Sequence, residues 1–159
     1  MTKEETLTAF LVETQARSYR LAYSVLHDRE EALDAVQTAV CRALEHQDSL
    51  RDIGAVRTWF TRVLMNVCND ALRRRSRVVP FPENGEEPSQ EDPEPADETL
   101  ARRVEALPAE MGTVIKLRFY EELTLKEIGE VTGQNLSTVK SRLYAGLKKL
   151  RVAMEGAEI

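Results

Sequence analysis

The sequence predicts an all-α fold of two small helical domains joined by an extended acidic linker. Three observations point there. Apolar residues recur at spacings of three and four through both ends of the chain, which is the period of a buried helix face. Seven glycines and 6% aromatic residues in 159 are too few for the turns and strands of an all-β protein. Residues 80–99, PFPENGEEPSQEDPEPADET, hold eight acidic residues, no basic one and five of the six prolines. That composition suits a tether rather than a packed core. The charge divides at the same boundaries. Residues 1–79 carry net +1 and residues 100–159 net +2, so the linker accounts for the overall −5. The domains are therefore placed at 1–79 and 100–159.

Composition also excludes several classes. Hydrophobic residues make up 42% of the chain and charged residues 31%, as in globular proteins. No run approaches the roughly 20 apolar residues that span a membrane, and MTKEETLTAF lacks the basic start and apolar stretch of a signal peptide. A cytoplasmic protein with reduced thiols and no direct membrane insertion is expected. Cys41 and Cys68 lack metal-ligand spacing, and neither His27 nor His46 has a nearby Cys or His. No metal, cofactor or catalytic triad is expected, and no enzymatic activity.

In the N-terminal domain, DREEALDAVQTAVCRALEH opens with Asp28 as N-cap and Glu31 three residues on. Ala32, Val36, Ala39, Val40 and Ala43 point inward. Glu30, Asp34, Gln37, Cys41 and Glu45 share a polar face, for which composition alone favours a plain solvated surface. The next helix, at about residues 55–75, has a core stripe of Val56, Trp59, Phe60, Val63, Leu64 and Val67. Thr58, Arg62, Asn66, Asn69 and Arg73 line another face at spacings of 4, 4, 3 and 4, and the helix runs into RRRSR. A row of amides and arginines without acids suits nucleic acid, with arginines for phosphates and amides for bases. Asp70, the nearby acid, is assigned to the core edge.

The C-terminal domain begins with LPAEMGTVIKLRFY, where Pro108 suits a first helical turn. Met111, Val114, Ile115 and Phe119 are assigned to its core. In TLKEIGEVTG, Thr124 and Glu127 form a capping box, Leu125, Ile128 and Val131 face inward, and Gly133 stops the helix. Asn135 then caps STVKSRLYAGLKKLR, which holds five basic residues. Val139, Leu143, Leu147 and Leu150 form its apolar stripe. Lys140, Ser141, Tyr144 and Lys148 lie on the remaining surface, with Arg142 and Lys149 on its other flank. A capped helix, a short turn and a helix with a basic outer face make a helix-turn-helix. An amphipathic helix with solvated lysines is the plainer alternative; the capped helix and turn before it favour DNA binding.

Three stretches together resemble regions 2.2, 2.3–2.4 and 4 of bacterial extracytoplasmic-function (ECF) sigma factors. They are DAVQTAVCRALEH, RTWFTRVLMNVCNDALRRRSR, and LPAEMGTVIKLRFYEELTLKEIGEVTGQNLSTVKSRLYAGLKKLR. The resemblance implies a transcription initiation factor that binds core RNA polymerase and directs it to promoters. It implies that region 2 binds the polymerase clamp and opens the −10 element, and that region 4 reads the −35 element. Asp34 and Gln37 match clamp-binding positions, with Cys41 on the same face. Leu50, Arg51, Gly54 and Ala55 belong to the loop that accepts a flipped −10 base. Asn66 matches the family's helix Asn near the −10 strand, and Thr58, Arg62, Asn69 and Arg73 extend that contact. Ser137, Thr138, Lys140, Ser141, Arg142, Tyr144 and Lys148 fall at the −35-reading helix. Thr38, Leu44, Leu50, Gln134 and Ala145 depart from common family residues. Promoter DNA and an anti-sigma factor are the further implied partners, the latter able to hold the protein at the membrane and away from the nucleoid. No small-molecule substrate is implied.

Two other functions compete. A stand-alone helix-turn-helix regulator would use a dimer and a palindromic site, and would leave the Thr58–Arg73 row idle. An all-α metalloenzyme could draw on Glu30, Asp34 and Glu45, but lacks the accompanying Glu-x-x-His pattern.

Overall fold

The computed structural model describes residues 2–77 and 98–157. The expected linker lies outside them, except that the fifth helix already begins at Glu98. Among the described residues there are eight α-helices and no strand. The chain divides into two compact units, one built on the first four helices and one on the last four.

The N-terminal unit contains α1 (Lys3–Glu13), α2 (Gln15–Leu26), α3 (Arg29–Glu45) and α4 (Val56–Arg77). Thr2 and Glu5 form a reciprocal capping box that starts α1. Helix α2 ends at His27, which sits in the left-handed region at φ 56°. The Asp28 carboxylate then accepts from the Glu31 N–H at 2.9 Å and starts α3, as expected. Ala32, Ala35, Ala39 and Ala43 are buried. Small residues on this face let α2 and α4 pack closely against α3. Phe10 and Phe60 meet edge to face at 6.1 Å, tying α1 to the bundle.

The buried face of α4 is wider than one stripe and is rotated from the expected one. Phe60, Leu64 and Val67 are buried as expected, but so are Thr61, Met65 and Cys68. Val56, Trp59 and Val63 are only half-buried. The reason is that α4 packs on both α2 and α3, so it has two buried flanks where a surface helix has one.

The C-terminal unit contains α5 (Glu98–Glu105), α6 (Ala109–Phe119), α7 (Leu125–Thr132) and α8 (Leu136–Ala157). Pro108 occupies the N-cap of α6, just before the first turn. Val114, Ile115 and Leu117 fill the core from α6, joined by Leu123, Ile128, Val139, Leu143 and Leu150. Phe119 is not part of it: the ring is 54% exposed, with the Arg118 guanidinium 5.8 Å from its centre. The backbone explains the difference. The Leu123 N–H donates to the Leu117 carbonyl at 3.1 Å, which folds the turn back and puts Leu123 where Phe119 was expected. Helices α6 and α8 cross closely at Gly146, where a Cβ would lie 2.8 Å from Ile115 Cδ1 and 3.3 Å from Met111 Cβ.

Candidate nucleic-acid interface

In the C-terminal unit the helix-turn-helix is held by its caps. Thr124 Oγ1 accepts from the Glu127 N–H at 3.1 Å, and the Glu127 carboxylate accepts from the Thr124 N–H at 2.8 Å. The Gly129 carbonyl accepts from the N–H groups of both Gly133 and Gln134, at 2.8 and 3.0 Å. Gly133 makes the turn at φ 76°, a left-handed conformation that glycine adopts without steric cost. The Asn135 side chain then accepts from the Thr138 N–H at 2.8 Å and starts α8.

This geometry presents Ser137, Lys140, Ser141, Tyr144 and Lys148 as one exposed row along α8, opposite its apolar stripe. Tyr144 is 60% exposed, which is a large aromatic area to leave in water. Two expected residues stand apart from that row. The Arg142 side chain is on the other flank, 3.8 Å from the Glu110 carboxylate. Thr138 is half-buried, and its N–H is taken by the cap. Arg151 lies on the same exposed face three residues beyond Lys148. Helical spacing from Lys140 and Tyr144 was the signal for it.

In the N-terminal unit, Asp34, Gln37 and Cys41 are all exposed on α3, while Cys68 is fully buried. Leu33 and Leu44 are also exposed on this side of the helix, at 49% and 37%. The row is therefore a polar strip edged by leucines, and Leu33 went unrecognised because a single Leu in a helical pattern reads as core.

The loop between α3 and α4 is pinned at several points. The Ser49 hydroxyl donates to the His46 carbonyl at 2.9 Å and accepts from the Trp59 indole N–H at 3.1 Å. The Asp52 carboxylate accepts from the Gly54 N–H at 2.9 Å. Leu50 is 2% exposed, so its side chain anchors the loop from below and offers no surface to a base. This corrects its assignment as a DNA contact through the side chain: with water on one side and the bundle on the other, Leu50 is the apolar loop residue that turns inward. Arg51, Gly54 and Ala55 are exposed, and so is Ile53.

Beyond the loop, α4 presents Arg62, Asn66, Asn69 and Arg73 on its exposed face. Thr58, at the start of the row, is half-buried and donates its hydroxyl to the Ala55 carbonyl at 3.2 Å. The row is not free of acids. Asp70 hydrogen-bonds to the Arg73 guanidinium and lies 3.7 Å from Arg42 of α3. Arg75 is held differently, by the Leu26 carbonyl at 2.9 Å and by the Glu31 carboxylate, and so fastens the end of α4 to the bundle.

Residues 11–78 match the Sigma-70 region 2 family and residues 104–152 match the Sigma-70 region 4 family. RNA polymerase sigma factor SigV of Bacillus subtilis (strain 168) is 33% identical over 165 residues, covering 97% of this chain and 96% of its own. ECF RNA polymerase sigma factor SigW of the same strain is 30% identical, over 84% of this chain and 80% of its own. The chain belongs to the ECF sigma factor family. It is a transcription initiation factor that directs RNA polymerase to promoters. Solved structures share the fold of this sigma factor. Sigma factor RpoE of Bartonella quintana, in complex with the anti-sigma factor NepR, superposes with a TM-score of 0.74 at 20% identity, over 92% of this chain and 97% of its own. CnrH in complex with the cytosolic domain of CnrY gives 0.70 at 17% identity, over 94% and 88%. Among the described residues of this sigma factor, no helix is long and apolar enough to cross a membrane.

Proposed function

We infer that this sigma factor divides its work between the two units, with region 2 docking on the polymerase clamp and opening the −10 element while region 4 reads the −35 element. The observation that carries this is the pair of polar, base-competent rows, one on α4 and one on α8, each turned away from its own core. Asp34, Gln37 and Cys41 on α3 face solvent without a core role, which suits a protein-docking strip. The α4 row and the exposed Arg51, Gly54 and Ala55 of the pinned loop lie together on the N-terminal unit. A loop held by the Ser49–Trp59 and Asp52–Gly54 hydrogen bonds is ordered before it meets DNA, so binding a flipped base does not also have to order the loop. Unstacking that base costs a few kcal/mol. Binding to the separated strand has to supply it, and the polymerase performs all the chemistry.

On α8, Lys140, Tyr144 and Lys148 sit one turn apart along the groove-facing row, with Ser137 just before Lys140 and Ser141 between Lys140 and Tyr144. Lysines supply phosphate contacts, and the hydroxyls and the tyrosine reach base edges. An anti-sigma factor that covers these faces would hold the protein in the cytoplasm or at the membrane, away from the nucleoid. One solved neighbour is bound to the anti-sigma factor NepR and the other to the cytosolic domain of CnrY, which supports looking for such a partner.

The test is run-off transcription with purified core polymerase on genomic fragments. Discrete start sites that depend on this chain are expected. A palindromic footprint without polymerase, and no binding to core, would identify a stand-alone regulator instead.

A further inference from the structure

The charged end of α4 holds two arginines in different ways. Arg75 is tied to a backbone carbonyl and a carboxylate together. In the contacts resolved for Arg73, the guanidinium is held by the carboxylate of Asp70, three residues before it on the same helix. The Arg73 side chain is 62% exposed and Asp70 35%. Such an exposed pair is weak and exchangeable. A second cation stands ready behind it, because Arg42 of α3 lies 3.7 Å from the other oxygen of the same carboxylate, with its side chain 45% exposed. Asp70 thus sits between a cation on the DNA-facing row and a cation on the neighbouring helix.

We propose that Asp70 is a specificity-determining counter-ion: it occupies Arg73 in the free protein, single-stranded DNA must displace it to place a phosphate on that guanidinium, and the displaced carboxylate passes to Arg42. This rests on the α4 row being a nucleic-acid face. The consequence follows from charge competition. Phosphate contacts are sequence-independent and supply most non-specific affinity. An arginine already neutralised by a carboxylate contributes less to that background. It becomes available when other contacts, such as a seated base, hold the strand beside it. Asp70 therefore lowers non-specific binding more than specific binding, without touching DNA. The Arg42 site keeps the carboxylate from being left beside the incoming phosphate, where like charges would repel.

The test uses the full chain and a fluorescein-labelled single-stranded oligodeoxynucleotide of random sequence, titrated by anisotropy at low and at moderate salt. Asp70→Asn keeps the shape and removes the charge. It should tighten binding about threefold at low salt, and less at moderate salt as screening sets in. The same substitution in an Arg73→Gln background should leave affinity within about 1.5-fold, since the freed cation is gone. Arg42→Gln should weaken binding in the parent but not in the Asp70→Asn background. Circular dichroism verifies that each variant is folded, and Arg42→Gln in the parent, where unchanged binding would overturn the proposal, tests the idea even if Asp70→Asn unfolds. An equal gain from Asp70→Asn with and without Arg73 would reduce the effect to a general change in charge and overturn the proposal. So would no gain at all, or a loss. Arg62→Gln separates the two levels. If it weakens binding while Asp70→Asn has no effect, the α4 row binds DNA and the counter-ion idea fails. If Arg62→Gln and Arg73→Gln both leave binding unchanged, the nucleic-acid face itself is wrong.

Discussion

Replacing Gly129 with alanine should loosen the helix-turn-helix, and the size of the effect can be worked out from the packing. A Cβ at Gly129 would stand 2.7 Å from the Gln134 carbonyl oxygen and 3.8 Å from Val139 Cγ2. The close partner is backbone, so no rotamer change relieves the contact. The turn has to open by roughly half an ångström, and overpacking of this kind costs about 1–3 kcal/mol. The Gly129 carbonyl also receives the N–H groups of Gly133 and Gln134, so the same movement stretches both hydrogen bonds. Against this, alanine is favoured over glycine inside a helix by about 1 kcal/mol. The net expectation is a loss of about 1 kcal/mol, which for a unit of this size lowers Tm by about 4–8 °C. The chain provides its own control, since its single tryptophan, Trp59, lies in the N-terminal unit. Thermal unfolding followed by circular dichroism should show the drop, while unfolding followed by tryptophan fluorescence should stay in place. An unchanged or raised Tm by circular dichroism would mean that helix propensity outweighs the contact, and the close approach at Gly129 would be refuted.

Three further outcomes are expected. Asp34→Ala with Gln37→Ala should leave stability within about 0.5 kcal/mol, because both are exposed, yet weaken binding to core polymerase about tenfold or more; a folded double variant that binds core normally would remove the docking role of α3. Asn66→Ala should reduce transcription from duplex promoters about tenfold, the equivalent of one good hydrogen bond, and leave templates with a pre-melted −10 bubble nearly unaffected; equal loss on both would point to docking or folding. Cys41 should react at once with a thiol reagent and Cys68 only on unfolding, since one is exposed and the other buried; core polymerase should slow the labelling of Cys41, and unchanged labelling in the complex would place that face outside the interface.

Much of this protein is encoded locally. Asp28, Thr124 with Glu127, Gly133 and Asn135 each act on backbone groups within a few residues. A cap needs only its own helix, so these boundaries were legible from neighbours in the chain. The expected linker, which lies outside the described residues, rests on composition alone, and the α8 row followed from helical period. The family was legible because two separate motifs occur in one order. What could not be read there depends on which helices meet. The buried face of α4 broadened because two helices pack on it, and Leu50 turned inward because the bundle lies beneath its loop. Phe119 lost its place to Leu123 through a backbone hydrogen bond across a turn. Asp70 could be placed near the row by spacing, but its reach to Arg42 exists only because α3 and α4 pack side by side. Periodicity says which residues share a face of one helix. Whether the acid beside that face has a second cation to turn to is decided by the neighbouring helix, and that contact forms only in the packed bundle.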